Sequence, residues 1–586
     1  MMKKLFFFGM MGAMALTFAA CSSEDEVAVN PTYDGNAVKT QFAFNIGQGQ
    51  FATTRMTQAN VQAQETPTFL GLDNMNLFAF TGAPAAASAT TTKYELGSIG
   101  KTIKLDDSNK FYTLQIPVGT DNFVFYGEAP EGDKDANGVL TNTLSSAATL
   151  GAITFALNKR ATDAFSTTGA TIAAKLTEIA GAKATVGGEE KTWAASEDAT
   201  LKAMYKNFTD AGDGKIRAGY DAAVTRILTD LKNAATQLKT TGLTDEVKAI
   251  ATAIETACNY TVPTFPGADM PAGAAQLEWT GTKFQYKTAA DLFKTSNADP
   301  QKIAYPAELV YWANSDLRAT DVEKTEADYP NGLVGVEGVT KPWFTDASWT
   351  TDWVKSGKVK ATTRAIAMQQ NINYGVAGLH TTVTWAAGDY ADNTKALVTG
   401  ATEDKTFAIT AESFELTGVL VGGQPEKANW ELLPAGTAFD WVVYDNKLVN
   451  GTLSTEKTPE SYTLLLDNYQ SEVKPVRVAL EFKNKMTEDF YGVDGIIPAG
   501  GTFYLVAELK AANDAAWTVP YENTRIQNAI RIFAQDRMTE ASFKFSANAL
   551  KNAYETIPDL QSVSMLFGLS VDIKWLPGLT FTNVEL

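Results

Sequence analysis

Apolar residues fall at every second position over the last complete run of the sequence, where Val563, Met565, Phe567, Leu569, Val571, Ile573 and Trp575 alternate with mostly small or polar residues. Successive side chains of an extended chain point to opposite faces, so this spacing predicts a strand with one buried face. After the break at Pro577-Gly578, apolar positions resume at Leu579, Phe581, Val584 and Leu586. Terminal segments are usually polar and frayed. A tail of this kind is expected either to tuck into its own domain or to be offered to another molecule.

The same period recurs upstream. Phe42, Phe44 and Ile46 alternate in a first strand, Leu77 to Phe80 reads as the next, and Val476, Val478, Leu480 and Phe482 alternate cleanly. Phe111 to Pro117 and Asn122 to Tyr126 read as two strands around Gly119-Thr120-Asp121, which predicts a hairpin. Leu309 to Trp312, a long run within Thr363 to Trp385, Phe503 to Ala507 and Phe543 to Phe545 complete the series. Many short strands punctuated by turns predict sandwiches, so the fold class is mainly β.

One segment breaks the pattern. Between about residues 155 and 262 the chain turns alanine-rich, with Val224, Ile227, Leu228, Leu231 and Leu238 at helical spacing and Val247, Ile250 and Ile254 continuing it after Gly242. Thr244 ahead of Val247 marks a helix start. The segment reads as an α-helical insertion in the N-terminal domain. The expected boundaries are a leader over 1–20, a tether over 21–35, an N-terminal sandwich over 36–350 and a C-terminal sandwich over 351–586.

Met1-Met2-Lys3-Lys4 is a short positive leader, Leu5 to Ala20 is apolar, and small residues at Ala19 and Ala20 precede Cys21. That is the make-up of a cleaved secretory signal, too short and too early for a spanning helix. Cys21 stands where a lipoprotein signal peptidase would cut, which makes it a candidate for acylation, palmitate included, and for anchorage in outer-membrane lipid. Ser22-Ser23-Glu24-Asp25-Glu26 then forms an acidic tether, equally readable as a solvated linker.

At 586 residues, with 45% hydrophobic and 20% charged residues, the chain has room for two to four domains with large cores. The net charge of −18 becomes −20 once Lys3 and Lys4 leave with the signal, and so acidic a surface repels nucleic acid and anionic lipid. With Cys21 acylated, Cys258 has no partner for an intramolecular disulfide. One histidine and one remaining thiol argue against a His- or Cys-based metal cluster.

A Ser/His/Asp triad would have to use His380, which lies in a strand-like stretch where a lone histidine is usually structural or solvent-facing. The sequence has neither a Gly-x-Ser-x-Gly elbow nor a phosphate-binding glycine loop. Trp343, Phe344, Trp349 and Trp353 fit core packing, the commoner use, or a sugar-stacking platform for a surface glycan-binding lipoprotein. A glycoside hydrolase would need two facing carboxylates about 5–10 Å apart, and nothing among the 67 acidic residues singles out a pair. No enzymatic role and no cofactor are therefore expected.

Several segments resemble the Bacteroidales fimbrillin family, the lipoprotein precursors of type V pili. They are Thr54-Arg55-Met56-Thr57 with Phe69-Leu70-Gly71-Leu72-Asp73-Asn74-Met75, Tyr305-Pro306-Ala307-Glu308-Leu309-Val310-Tyr311-Trp312-Ala313-Asn314-Ser315, and Phe490-Tyr491-Gly492-Val493-Asp494-Gly495-Ile496-Ile497-Pro498 with Phe503-Tyr504-Leu505-Val506. Phe533-Ala534-Gln535-Asp536, Leu550-Lys551-Asn552-Ala553-Tyr554 and the carboxyl end from Ser570 to Leu586 follow in the same order. The helical insertion has no counterpart in the resemblance.

The resemblance implies two transthyretin-like β-sandwich domains and assembly by strand exchange. A protease cuts such subunits after an arginine behind the first strand, and Arg55 stands at the matching place. The cut would release the strand that carries Phe42, Phe44 and Ile46, and the tail with Leu579, Phe581, Val584 and Leu586 would be the donor. The implied partners are other copies of the chain or other pilus subunits, with host or bacterial surface ligands for an adhesive subunit and no nucleic acid. The implied location is the outer-membrane surface and the fimbrium. Physically, a sandwich that loses an edge strand exposes backbone donors and acceptors beside an apolar slot, which an extended segment can fill. Burying the four tail residues would contribute about 6–12 kcal/mol before ordering costs. Head-to-tail exchange of this kind propagates as a filament.

Overall fold

A computed structural model describes residues 35–45, 72–81, 91–99, 109–120, 122–130, 137–147, 149–160, 165–209, 215–216, 221–241, 244–265, 270–271, 276–287, 302–314, 359–361, 365–371, 373–395, 402–468, 476–493, 495–510, 532–535, 537–561 and 565–577. The protein is mainly β, as the alternating runs predict. Contacts divide it into two compact units: residues 1–134, 143–154 and 309–375 in the first, and 135–142, 155–308 and 376–586 in the second. In chain order the helical segment is inserted between pieces of the first unit, but by contacts it groups with the second. The division near 375 also splits the run from Thr363 to Trp385 between the units.

Among the described residues the first unit holds two sheets. In one, β1 (Ala37–Asn45) lies between β4 (Asn109–Pro117), antiparallel to it, and β8 (Ala365–Asn371), parallel to it. The other has the order β9-β7-β5-β2-β3, built from β2 (Leu72–Phe80), β3 (Thr91–Ile99), β5 (Asn122–Glu128), β7 (Val310–Asn314) and β9 (Asn373–Tyr374). Leu77, Phe78, Phe123, Val124, Phe125 and Tyr126 are all fully buried, so β2 and β5 carry apolar side chains on both faces.

β4 and β5 belong to different sheets, so the hairpin expected around Gly119-Thr120-Asp121 is not formed. The turn instead carries the chain from one sheet to the other. Gly119 adopts φ +92°, a conformation that suits glycine, and its N–H donates to the Val359 carbonyl at 2.8 Å. A local turn signal cannot tell a hairpin from a crossing between sheets.

The second unit contains a sandwich. Its five-stranded sheet has the order β6-β14-β13-β16-β17, from β6 (Lys302–Ala304), β13 (Phe414–Gln424), β14 (Trp441–Asp445), β16 (Val476–Asn484) and β17 (Thr502–Leu509). The four-stranded sheet has the order β15-β10-β18-β19, from β10 (Ala377–Trp385), β15 (Glu460–Leu465), β18 (Arg537–Phe545) and β19 (Ser570–Pro577). A ribbon of β11 (Gly388–Lys395) and β12 (Thr402–Ile409) stands beside them. Trp385 and Phe545 of the four-stranded sheet meet Phe414 and Phe482 of the five-stranded one at ring-centroid distances of 5.6–6.3 Å, which marks the sandwich interior.

The other face of the five-stranded sheet is also covered. Leu420, Val442, Tyr444, Ala479, Tyr504 and Val506 pack there with Phe165, Met270, Ile557 and Leu560.

Among the described residues the inserted segment carries four helices: α1 (Ser166–Ala180), α2 (Ala199–Thr209), α3 (Asp221–Thr240) and α4 (Asp245–Ala257). Thr244 caps α4 by accepting from the Val247 N–H at 3.3 Å, as its position predicts. The helical-period residues Val224, Ile227, Leu228, Leu231, Leu238, Val247, Ile250 and Ile254 are all buried in one core. Trp193 sits within it and donates from its indole N–H to the Ala180 carbonyl at 2.7 Å. A short hairpin over 183–192 and a three-stranded antiparallel sheet of 215–216, 276–279 and 284–287 accompany the helices, so the region is not purely helical. Phe265 and Tyr286 pack against both this core and the sandwich cluster. Cys258 is buried and free, and burial pushes its thiol up to about 12 against the pull of Lys232 and Lys175, which leaves it inert near neutrality.

Candidate functional site

β1 is a central strand, not the edge strand whose loss the sequence reading considers. Nine residues pair with β4, from Ala37 opposite Pro117 to Asn45 opposite Asn109, and Gln41, Phe42 and Ala43 pair with Ala365, Ile366 and Ala367 on the other side. Val38 and Thr40 are fully buried, and the Thr40 hydroxyl donates to the Val38 carbonyl at 3.1 Å. Withdrawing such a strand would strip hydrogen-bond partners from both β4 and β8, leaving a slot with backbone groups along each wall. Twenty-six residues, 46–71, separate β1 from β2. Arg55 falls within them, outside the described residues, as does Ile46.

The carboxyl-terminal pattern forms a shorter strand than its alternation predicts. Among the described residues of the run Ser570–Pro577 is strand, paired antiparallel with β18, and there it has no second neighbour. Val571 and Ile573 are half-buried while Ser570 and Asp572 are exposed, so the one-sided pattern holds there. Just upstream the N–H groups of Gly568 and Leu569 both donate to the Val506 carbonyl, at 3.1 and 3.3 Å, and this pins the backbone out of strand geometry. Leu566 and Phe567 are consequently exposed, at 50% and 42%. Leu579, Phe581, Val584 and Leu586 lie outside the described residues, as do Cys21, Trp343, Phe344, Trp349 and Trp353.

His380, the single histidine, sits on the outward face of β10. Its Nε2 is 3.2 Å from Glu460 on β15, its Nδ1 is 3.8 Å from Glu540 on β18, and its ring stacks on Tyr462 at a centroid distance of 4.2 Å. Burial by itself pulls the imidazole's pKa down, but hydrogen bonds to the two glutamates and their charges outweigh it, and the net shift is upward. With a carboxylate facing each ring nitrogen, His380 has none directed at a serine nucleophile among the described residues.

Two acids in the second unit escape any sequence signal. Glu481, on the supposedly solvent-facing side of β16, is 3% exposed and accepts from Tyr504 at 2.6 Å, Thr417 at 2.9 Å and Tyr444 at 3.1 Å. Gly418 makes room for this, since a Cβ there would meet the Tyr444 ring at 2.5 Å. Asp445, at the end of β14, accepts from Thr463 at 2.7 Å, Ser461 at 3.2 Å and the Lys447 N–H at 3.0 Å. Burial raises its pKa in spite of those bonds. Glu481 thus belongs to the covered outer face of the five-stranded sheet, whereas Asp445 ties β14 to Ser461 and Thr463 of β15. Among the described residues no group of His, Cys, Asp and Glu is arranged to hold a metal ion. No described helix is long and apolar enough to cross a membrane, which says nothing of a β-barrel.

No protein-family model matches the chain. No curated protein matches it either. Solved structures overlap with it at low similarity. A proposed cell adhesion protein of Bacteroides eggerthii shares 6% identity at a TM-score of 0.31, over 92% of this chain and 96% of that one. Another from Parabacteroides distasonis shares 7% identity at a TM-score of 0.29, over 92% and 98% of the two chains. The tip fimbrial protein Mfa3 of Porphyromonas gingivalis, with a C-terminal truncation, shares 7% identity at a TM-score of 0.26, over 92% and 99%. Likeness at these scores carries no argument about what this chain does.

Proposed function

We propose that the chain is the precursor of a fimbrillin-like surface subunit, a lipoprotein anchored in outer-membrane lipid through Cys21 until it is cut, which then serves as a structural or adhesive pilus subunit and not as an enzyme. In this reading a cut at Arg55 frees β1, and the tail with Leu579, Phe581, Val584 and Leu586 from another subunit replaces it. The leader, the acidic tether and the ordered fimbrillin-like segments support it. The observation that carries it is the setting of β1, central in its sheet yet joined to β2 through 26 residues that include Arg55. A cut there would leave β1 joined to the rest of its sheet only by noncovalent contacts. The slot between β4 and β8 offers an incoming strand hydrogen bonds on both sides, a firmer seat than an edge gives.

The test is N-terminal sequencing of the surface form together with electron microscopy of Arg55→Ala. The wild type is expected to begin at Met56 and to form filaments, and the variant to stay an intact, folded, unpolymerised precursor. Normal filaments from the variant would show that the cut lies elsewhere or is not needed.

A further inference from the structure

We propose that His380 is a pH-sensitive staple of the four-stranded sheet, which in its protonated form ties the neighbouring strands β15 and β18 to β10 through Glu460 and Glu540. The geometry favours the charged form. A neutral imidazole donates from one nitrogen only, so its other lone pair would face a carboxylate at 3.2 or 3.8 Å. The imidazolium donates from Nε2 to Glu460 at hydrogen-bond distance and turns its positive Nδ1–H toward Glu540 at 3.8 Å, an ion-pair distance, so that neither carboxylate faces a lone pair.

The groups around it keep this arrangement in place. On β15, Tyr462 stacks on the ring at an interplanar angle of 3°, a contact that favours the cation. The Asn450 side-chain amide donates to the second oxygen of Glu460 at 3.3 Å, which fixes that carboxylate. On β18, Glu540 is opposite His380 in register, and on β19 its own register partner is Lys574. On β10 itself the next outward residue, Thr382, donates to Ser542 of β18 at 3.0 Å, a neutral link that does not titrate in this range. Two carboxylates and an aromatic face thus bear on one imidazole whose side chain is only 17% exposed. Because the folded state holds the proton more tightly than the unfolded chain, the staple's contribution is complete below the ordinary histidine value of 6.5. It is lost as pH rises through the folded pKa. The sheet, with β19 at its edge, is therefore fastened more firmly in mildly acidic water than in alkaline water. This inference is independent of the pilus reading.

The chain's single histidine makes the test direct, because the imidazole of the full-length protein gives one Hε1 resonance. Its titration midpoint is expected above 6.5, and the double variant Glu460→Gln with Glu540→Gln should move it down. The wild-type Tm should fall by about 1–3 °C between pH 6 and pH 8 relative to that of His380→Gln. A wild-type midpoint at or below 6.5, or identical pH profiles of Tm for wild type and His380→Gln, would overturn the proposal. The wild-type resonance decides the matter even if a variant folds poorly.

Discussion

The two sheets of the second unit are built from strands of the same alternating kind, yet they treat their outward faces differently. On the four-stranded sheet that face carries His380, Thr382, Glu460, Glu540 and Ser542, all half-buried or exposed, and their polar atoms have water as an alternative partner. On the five-stranded sheet the corresponding face is covered, so Glu481 has to find partners within the protein, and Tyr444, Tyr504 and Thr417 are among them. Similar polar residues on similar strands therefore stand to lose different amounts. A buried acceptor that loses its partners costs the full desolvation of the groups left behind, whereas an exposed one is rehydrated. The comparison is thus between a polar face that water can repair and one that it cannot.

The interior shared by both sheets sets the upper end of the scale. Phe482 is fully buried and its ring meets Trp385, Phe503 and Phe545 at centroid distances of 5.4–6.3 Å. Phe482→Ala should destabilise the second unit by about 3–5 kcal/mol, read as a lowered urea midpoint followed by tryptophan fluorescence. A loss under about 1 kcal/mol would mean that the two sheets do not close on each other there, and the distinction between inner and outer faces would lose its basis.

Glu481→Ala tests the covered face itself. Removing the carboxylate takes that acceptor from the buried hydroxyls of Tyr444 and Tyr504, while the half-buried Thr417 keeps the Glu481 backbone carbonyl at 3.3 Å, and the expected cost is about 2–4 kcal/mol in the same urea experiment. Equal loss from Glu481→Ala and from a polar change on the four-stranded sheet would show that water reaches both faces, and the contrast would collapse.

This residue also shows where reading the sequence stops. Val476, Val478, Leu480 and Phe482 were legible as one buried face because period two is a local property of the chain. The burial of Ala479 and Glu481 between them was not, because the cover comes from Phe165, Met270, Ile557 and Leu560, which lie at least 75 residues away along the chain. The same limit applies to β1. Its strand pattern was local and visible, but its parallel partner β8 begins only at Ala365, so its central place in the sheet was hidden. Gly119 announced a turn without saying which sheet the chain would enter next. The helices α3 and α4, whose spacing and cap act over a few residues, were read almost as they stand, from Val224 to Ile254 with Thr244 at the cap, whereas α1 and α2 were covered only by the alanine-rich composition.

Thr382→Ala gives the smallest effect and sharpens the comparison most. The Thr382 hydroxyl donates to Ser542 at 3.0 Å across β10 and β18, on the open face and two residues from His380. Truncation leaves the Ser542 hydroxyl exposed, where water replaces the lost donor, so the net cost should stay below about 1 kcal/mol. It should also leave the His380 titration midpoint where it is, since neither carboxylate that holds the imidazole is touched. A cost close to that of Glu481→Ala would mean that this face is covered in the folded protein, and Glu460 and Glu540 would then be as dependent on His380 as Tyr444 and Tyr504 are on Glu481. A small cost with an unmoved midpoint places the two faces at opposite ends of one scale, set by whether water can take up the bonds that a side chain gives up.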